Sequence, residues 1–192
     1  MPLTEQQRNA LPHIRANLKK SFHVATTAAP PEERARLPDP AHLPADLTVR
    51  VEIAPPSPRL LPDVPLRAPE PVPVFFYARH GEAAPDPAHT HVLFFIHGGA
   101  NVIGHPTNPP FVQFYAALLR AARVPCVLIA PCYRLSTVPE NAFPAGLQDV
   151  AAAYDYVVGK GYAPGNIVLA GDSAGGNHGA YTFLCRLARL TP

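Results

Sequence analysis

The glycine-rich segment 171–176, with the sequence GDSAGG, constrains the fold of this 192-residue chain more than any other stretch. An apolar, β-branched run at 167–170 leads into it, and a helical pattern at 177–190 leads out of it. Small residues at such a junction allow a strand and a helix to approach each other closely. The segment therefore predicts a sharp strand-to-helix turn that carries Ser173.

A serine on a turn of this kind is typical of a nucleophile elbow, in which the hydroxyl is raised above the carboxyl ends of parallel strands. The hydroxyl needs a base to take its proton and N–H donors to hold the oxyanion that forms. The N–H of Ala174 is predicted to be one such donor. The alternative is an ordinary glycine-rich turn or a phosphate site at a helix N-terminus. The phosphate alternative lacks both the Gly-x-Gly-x-x-Gly pattern and a Lys-Ser/Thr pair.

A second glycine turn, His97-Gly98-Gly99-Ala100, follows the apolar run at 92–96 directly. Glycines at the carboxyl end of a strand can direct their N–H groups toward the pocket that the elbow also faces. We expect Gly98 and Gly99 to supply the remaining oxyanion donors, although an ordinary Gly-Gly turn stays open as the alternative. His97 is expected to orient this loop through hydrogen bonds rather than to act as the base.

Apolar runs spaced along the chain predict a sheet. Residues 47–53 alternate between apolar and polar, which indicates an antiparallel edge strand with one wet face, and 74–78 is a second candidate strand. The runs 92–96, 127–130 and 167–170 are apolar throughout, as in strands covered on both faces. The fold class is therefore predicted as α/β, with a mostly parallel sheet and helices on both faces.

Helical patterns lie between the last three runs. Each has one apolar face, and the two faces are Phe111, Phe114, Tyr115, Leu118, Leu119 and Ala122, and then Phe143, Leu147, Val150, Tyr154 and Val157. A third, broken pattern covers residues 1–29. We expect a helical segment with a Pro-rich linker at 1–45 and the α/β body at 46–192.

Composition excludes several classes of function. A net charge of +2 is too small to favour nucleic acid, and no apolar run reaches the roughly 18 residues of a membrane span. The three cysteines, Cys126, Cys132 and Cys185, show no metal-ligand spacing and indicate reduced thiols. Together with the absence of a leader pattern, this predicts a soluble, cytoplasmic protein without a metal.

Four segments together resemble the hormone-sensitive-lipase-like branch of the α/β-hydrolase esterases. They are 97–99 (HGG), 133–135 (YRL), 139–145 and 171–176, and the similar spacing extends over about 47–190. The resemblance implies a carboxylesterase with Ser173 as nucleophile and the N–H groups of Gly98, Gly99 and Ala174 as oxyanion hole. It also implies an acyl-enzyme, a small-molecule ester substrate, no cofactor and a cap formed by residues 1–45.

The chain departs from that family at three points. Ala100 stands where a third glycine is usual, and Cys132 stands where an aspartate is usual, in a loop two residues longer. The family's triad acid and histidine follow the elbow helix, so we expect an incomplete fold that is inactive by itself. We further expect 167–171 to be an open sheet edge through which the chain self-associates. A receptor-like ligand-binding protein and a non-functional fragment are the alternatives.

No residue already present replaces the missing base convincingly. His178 is expected to lie on the outgoing helix and pack there or face solvent, and His105 is the single candidate for a substitute base. Asp149 and Asp155 are expected to be solvated charges on a helix.

Overall fold

The computed structural model describes residues 5, 28–57, 66–81 and 86–187. The helices expected within residues 1–29 lie almost entirely outside this part of the chain. The expected domain boundary near residue 45 stays a prediction.

Five strands form one mixed sheet. They are β1 (Leu47–Ala54), β2 (Val72–Arg79), β3 (His91–Ile96), β4 (Cys126–Pro131) and β5 (Ile167–Gly171). Their spatial order is β1-β2-β4-β3-β5. The pairs β1–β2 and β2–β4 are antiparallel, whereas β3 pairs in parallel with both β4 and β5. The predicted antiparallel start and parallel remainder of the sheet are both confirmed.

Four α-helices accompany the sheet in the described residues: α1 (Pro31–Arg34), α2 (Pro109–Ala121), α3 (Ala145–Gly159) and α4 (Ala174–Leu187). Short 3₁₀ turns occupy Pro40–His42, Pro139–Asn141 and Pro164–Asn166. Two prolines open α2, where the missing N–H costs nothing because the first turn has no partner for it. Gly161 follows α3 with φ +96°, the left-handed conformation that stops a helix.

Two hydrophobic cores lie on opposite faces of the sheet, because side chains alternate along each strand. Val74 and Phe76 of β2 point into the core that α3 covers with residues such as Val150 and Val157. The intervening residues Phe75 and Tyr77 belong to the other core, which α2 covers with Val112, Tyr115, Ala116 and Leu119. The predicted helices on both faces are confirmed.

Three apolar side chains are more exposed than the sequence pattern indicated. Phe114 of α2 is 45% exposed and Phe143, just before α3, is 61% exposed, so neither belongs to the buried face of its helix. Val168 of β5 is also 61% exposed, and the prediction that this strand is covered on both faces is wrong. The reason is that β5 is the last strand of the described sheet and pairs only with β3.

A buried ion-pair network joins α1 to the body of the fold. Asp149 of α3 accepts hydrogen bonds from Arg134 Nη2 at 2.9 Å and from Arg34 Nη1 at 3.3 Å. Arg34 also donates to the Cys132 carbonyl and to Glu70. The prediction that Asp149 is a solvated helix charge is therefore wrong. Its carboxylate is buried and accepts hydrogen bonds from two guanidinium groups that belong to other segments of the chain.

None of the described helices is long and apolar enough to cross a membrane. The described residues also contain no group of three or more His, Cys, Asp or Glu side chains that could hold a metal ion.

Candidate active site

Ser173 lies in a strained turn between β5 and α4. Its φ is +48°, in the left-handed region that residues other than glycine rarely adopt, and its side chain is exposed. The flanking glycines explain why the chain tolerates this turn. A Cβ on Gly175 would collide with the Ile96 carbonyl oxygen, and one on Gly171 would lie 2.7 Å from the same atom. The backbone of this turn therefore packs directly against the end of β3, at a distance that only glycine allows.

The parallel register of two strands brings the two glycine turns together. Ile96 of β3 pairs with Gly171 of β5, so both chains leave the sheet at the same carboxyl edge. His97 and Asp172 are the next residues of the two segments. The structure thus joins the two segments that the sequence singled out separately.

Three successive residues of the first turn have positive φ. The values are +117° for Gly99, +53° for Ala100 and +62° for Asn101. The N–H groups of Val102 and Ile103 both donate to the Gly99 carbonyl at 3.0 Å and close the turn. Ala100 occupies the place of the family's third glycine, and its left-handed backbone costs about 1–2 kcal/mol because of its Cβ.

A hydrogen bond from Gly98 to Asp172 links the two turns. The Gly98 N–H donates to Asp172 Oδ1 at 2.7 Å. This donor is therefore engaged, and its predicted use in an oxyanion hole requires the bond to Asp172 to open. The N–H groups of Gly99 and Ala100 have no acceptor among the described residues. Sequence reasoning did not anticipate this bond, because its partners are 74 positions apart and carry no local signal.

The His97 side chain packs beneath the protein surface and hydrogen-bonds to the backbone of the first turn. The imidazole is buried, and its Nδ1 donates to the Gly98 carbonyl at 2.8 Å. The ring stacks on Tyr133 with centroids 4.4 Å apart, and the Tyr133 hydroxyl donates to the His97 carbonyl at 2.8 Å. Burial lowers the pKa of His97 to about 4, so the ring is neutral at pH 7. These contacts agree with the expectation that His97 orients the loop.

His105 and His178 both form hydrogen bonds to residues other than Ser173. His105 Nε2 is hydrogen-bonded to the Arg34 carbonyl at 2.9 Å, and its Nδ1 is hydrogen-bonded to the Thr107 hydroxyl at 2.7 Å. Both ring nitrogens are therefore occupied. This leaves His105 without support as a substitute base. His178 packs inside the fold and contacts Asn101 instead. Among the described residues, no histidine hydrogen-bonds to Ser173.

Asn101 is the site residue that sequence reasoning missed. Its side-chain oxygen contacts His178, and its carbonyl accepts the Ser136 N–H at 2.6 Å. One signal for it was present in the sequence, since asparagine tolerates left-handed backbone better than most residues and follows a glycine turn here.

Comparison with known proteins decides the family. A family model described as alpha/beta hydrolase fold matches residues 93–189, about half of the chain. The chain belongs to the alpha/beta hydrolase fold family. The predicted fold class and the resemblance to α/β-hydrolase esterases are thereby confirmed.

Two curated relatives of this α/β hydrolase carry hydrolase names. An acetyl-hydrolase of Streptomyces hygroscopicus is 39% identical over 83 residues, which cover 43% of this chain and 26% of that relative. The carboxylesterase/phospholipase LipF of Mycobacterium tuberculosis is 38% identical over 85 residues, which cover 44% of this chain and 21% of LipF.

Solved esterase structures share this fold. The hyperthermophilic esterase of Pyrobaculum calidifontis matches 98% of this α/β hydrolase with a TM-score of 0.57 and 25% identity. An esterase of the bacterial hormone-sensitive lipase family matches 100% of it with a TM-score of 0.55 and 24% identity. The chain covers 55% of the length of each of these two proteins.

Proposed function

We propose that this α/β hydrolase carries the nucleophile of a serine carboxylester hydrolase, with Ser173 attacking the carbonyl of a small-molecule ester to form an acyl-enzyme. The observation that carries the proposal is the exposed, left-handed Ser173 beside the glycine turn at 99–101. Left-handed strain on a residue other than glycine persists where the surrounding structure enforces it, and such strain clusters at active sites. The names of the curated relatives support an ester as the substrate class.

The oxyanion donors proposed are the N–H groups of Gly99 and Ala174, two of the three that the sequence predicted. Gly98 would join them only after releasing Asp172, because one N–H cannot serve both acceptors. Ala100 is the better third candidate, since its N–H lies in the same left-handed turn and has no acceptor among the described residues. Donors aimed at a developing oxyanion are worth about 10²–10³ in rate each.

We infer that the described residues hold the nucleophile without activating it. No described histidine hydrogen-bonds to Ser173, and the rings of His97 and His178 are both neutral and hydrogen-bonded to other residues. Loss of the base from a serine triad lowers kcat by about 10⁶ and leaves about 10³–10⁴ over water. Turnover by the 192-residue chain is therefore expected to stay near background.

A fluorophosphonate probe and a nitrophenyl ester test these two statements separately. The probe is expected to label Ser173 slowly, with loss of the label in Ser173→Ala and retention in the control Ser57→Ala. Equal labelling of Ser173 and Ser57 by the probe would refute the assignment of Ser173 as the nucleophile. Ester turnover at ordinary esterase rates that disappears in Ser173→Ala would refute the inference that the described residues leave Ser173 without a base. Ligand binding without any label at Ser173 would favour the receptor-like alternative.

A further inference from the structure

His178 meets the glycine turn from the helix that follows the nucleophile. It lies five residues after Ser173 on α4 and is 6% exposed. Its Nε2 is 2.8 Å from Asn101 Oδ1. Burial lowers the pKa of His178 to about 4, so the ring is neutral at pH 7. A neutral ring facing an amide oxygen must carry its proton on Nε2, and His178 therefore donates this hydrogen bond.

Asn101 is held from two sides. Its side chain accepts from His178, while its carbonyl accepts the Ser136 N–H at 2.6 Å. It is the last of the three left-handed residues, and a backbone in that conformation relaxes unless its neighbours hold it. Fixing Asn101 therefore fixes the directions of the Gly99 and Ala100 N–H groups that precede it.

The His178 ring is itself held in one orientation. It meets the Tyr133 ring edge to face, with centroids 4.9 Å apart and an interplanar angle of 63°. Tyr133 in turn stacks on His97. Gly146 of α3 closes another side, since a Cβ there would lie 3.4 Å from Nε2. The hydrogen bond to Asn101 thus starts from a ring that has little freedom to turn away.

We propose that His178 is a positioning residue, whose hydrogen bond to Asn101 holds the turn at 99–101 in the conformation that presents its N–H groups to Ser173. The catalytic role given to these N–H groups rests on the proposed esterase function. The coupling between His178 and the turn is independent of that function, and it can be measured in the chain without any substrate.

Hydrogen exchange of the amides that close the turn measures the coupling. His178→Leu removes the donor, and His178→Gln keeps an N–H in nearly the same place. Exchange at Val102, Ile103 and Ser136 is expected to become about fivefold faster with leucine, the effect of one net hydrogen bond, and to return most of the way with glutamine. His89→Leu changes an exposed loop histidine and is expected to leave these amides unchanged.

A titration separates this role from simple packing. Asn101→Asp places a carboxylate on the His178 ring, which favours the charged imidazole and raises the pKa of His178 from about 4 by more than one unit. Within the described part of the chain, the His178 ring contacts the Tyr133 ring, Asn101 and Gly146. His97 is the titratable neighbour that interacts with it electrostatically, and burial lowers the pKa of His97 to about 4, so that ring is also neutral at pH 7. The pKa of His178 is measured from the exchange rate of its C2 proton as a function of pH. This measurement tests the proposal even if His178→Leu fails to fold, because it does not use that variant.

Three results would overturn the proposal. They are unchanged amide exchange in a folded His178→Leu, equal exchange in the leucine and glutamine variants, and an unmoved His178 titration in Asn101→Asp. None of these measurements involves Ser173. A missing label at Ser173 would refute the esterase proposal and leave the coupling intact, whereas a failed coupling would leave the nucleophile assignment intact.

Discussion

Removing the charge of Asp149 is expected to destabilise the fold strongly. Asp149→Asn preserves the shape of the side chain but leaves Arg34 and Arg134 buried without their shared carboxylate. Removing one partner of a buried ion pair typically costs 3–5 kcal/mol. Domains are stable by about 5–15 kcal/mol in total, so this single substitution consumes a large part of the free energy of unfolding.

The geometry places the cost at the upper end of that range. Asp149 accepts from Arg134 through the backbone N–H at 2.8 Å, through Nε at 3.0 Å and through Nη2 at 2.9 Å, and from Arg34 through Nη1 at 3.3 Å. Both of its oxygens are used. The asparagine NH₂ group would therefore point a donor at a guanidinium donor, whichever way the amide is turned.

Urea denaturation followed by circular dichroism measures the loss. Asp46→Asn is the matched control, because Asp46 pairs with Arg120 on the surface, where an ion pair contributes little. Glu70→Gln is an intermediate case, since Glu70 contacts the same two arginines but is 39% exposed at its side chain. A loss below about 1 kcal/mol for Asp149→Asn, or one equal to that of Asp46→Asn, would refute the view that this network holds α1 to the body.

Three further outcomes are expected. Gly175→Ala should lower the melting temperature because its Cβ has no room, while Gly159→Ala, whose Cβ meets nothing within 4 Å, should raise it slightly; equal effects would contradict the backbone contact at the elbow. The free energy of unfolding should fall as the pH drops from 6.5 to 4, because His97 and His178 have a pKa of about 4 in the folded protein and protonate more readily when it is unfolded. Each histidine should account for at most about 3 kcal/mol of that loss. A free energy of unfolding that stays constant over this pH range would show that neither histidine is buried in its neutral form. Val168→Lys places a charge on β5, the last strand of the described sheet, and should reduce any concentration-dependent self-association in gel filtration; unchanged association would show that this strand is not the contact.

Sequence reasoning was most successful where the signal is local. The strand at 92–96 and the one at 127–130 are found with one extra residue at one or both ends, because apolar runs bounded by turn residues report their own burial. The sharp turn at Ser173 was predicted from the small residues around it, and the structure shows that turn with a left-handed Ser173 and close backbone contacts at the flanking glycines.

What sequence reasoning missed is long-range. Asp149 looks like a solvated helix residue because its partners, Arg34 and Arg134, are 115 and 15 positions away and come from other elements. The exposure of Val168 depends on which strand lies beside β5, and the composition of a strand does not record its neighbours. The contact between His178 and Asn101 needs both the sheet register and the path of α4 before it can be foreseen.

The order of the strands has a consequence for synthesis on the ribosome. β3 lies between β4 and β5 in the sheet, yet both neighbours follow it in the chain, and β5 begins about 70 residues after β3 ends. At about 5–20 residues per second, β3 waits about 4–14 s for its second neighbour after it is made. A pause in translation within that interval leaves one edge of β3, whose residues 92–96 are all apolar, uncovered in the nascent chain.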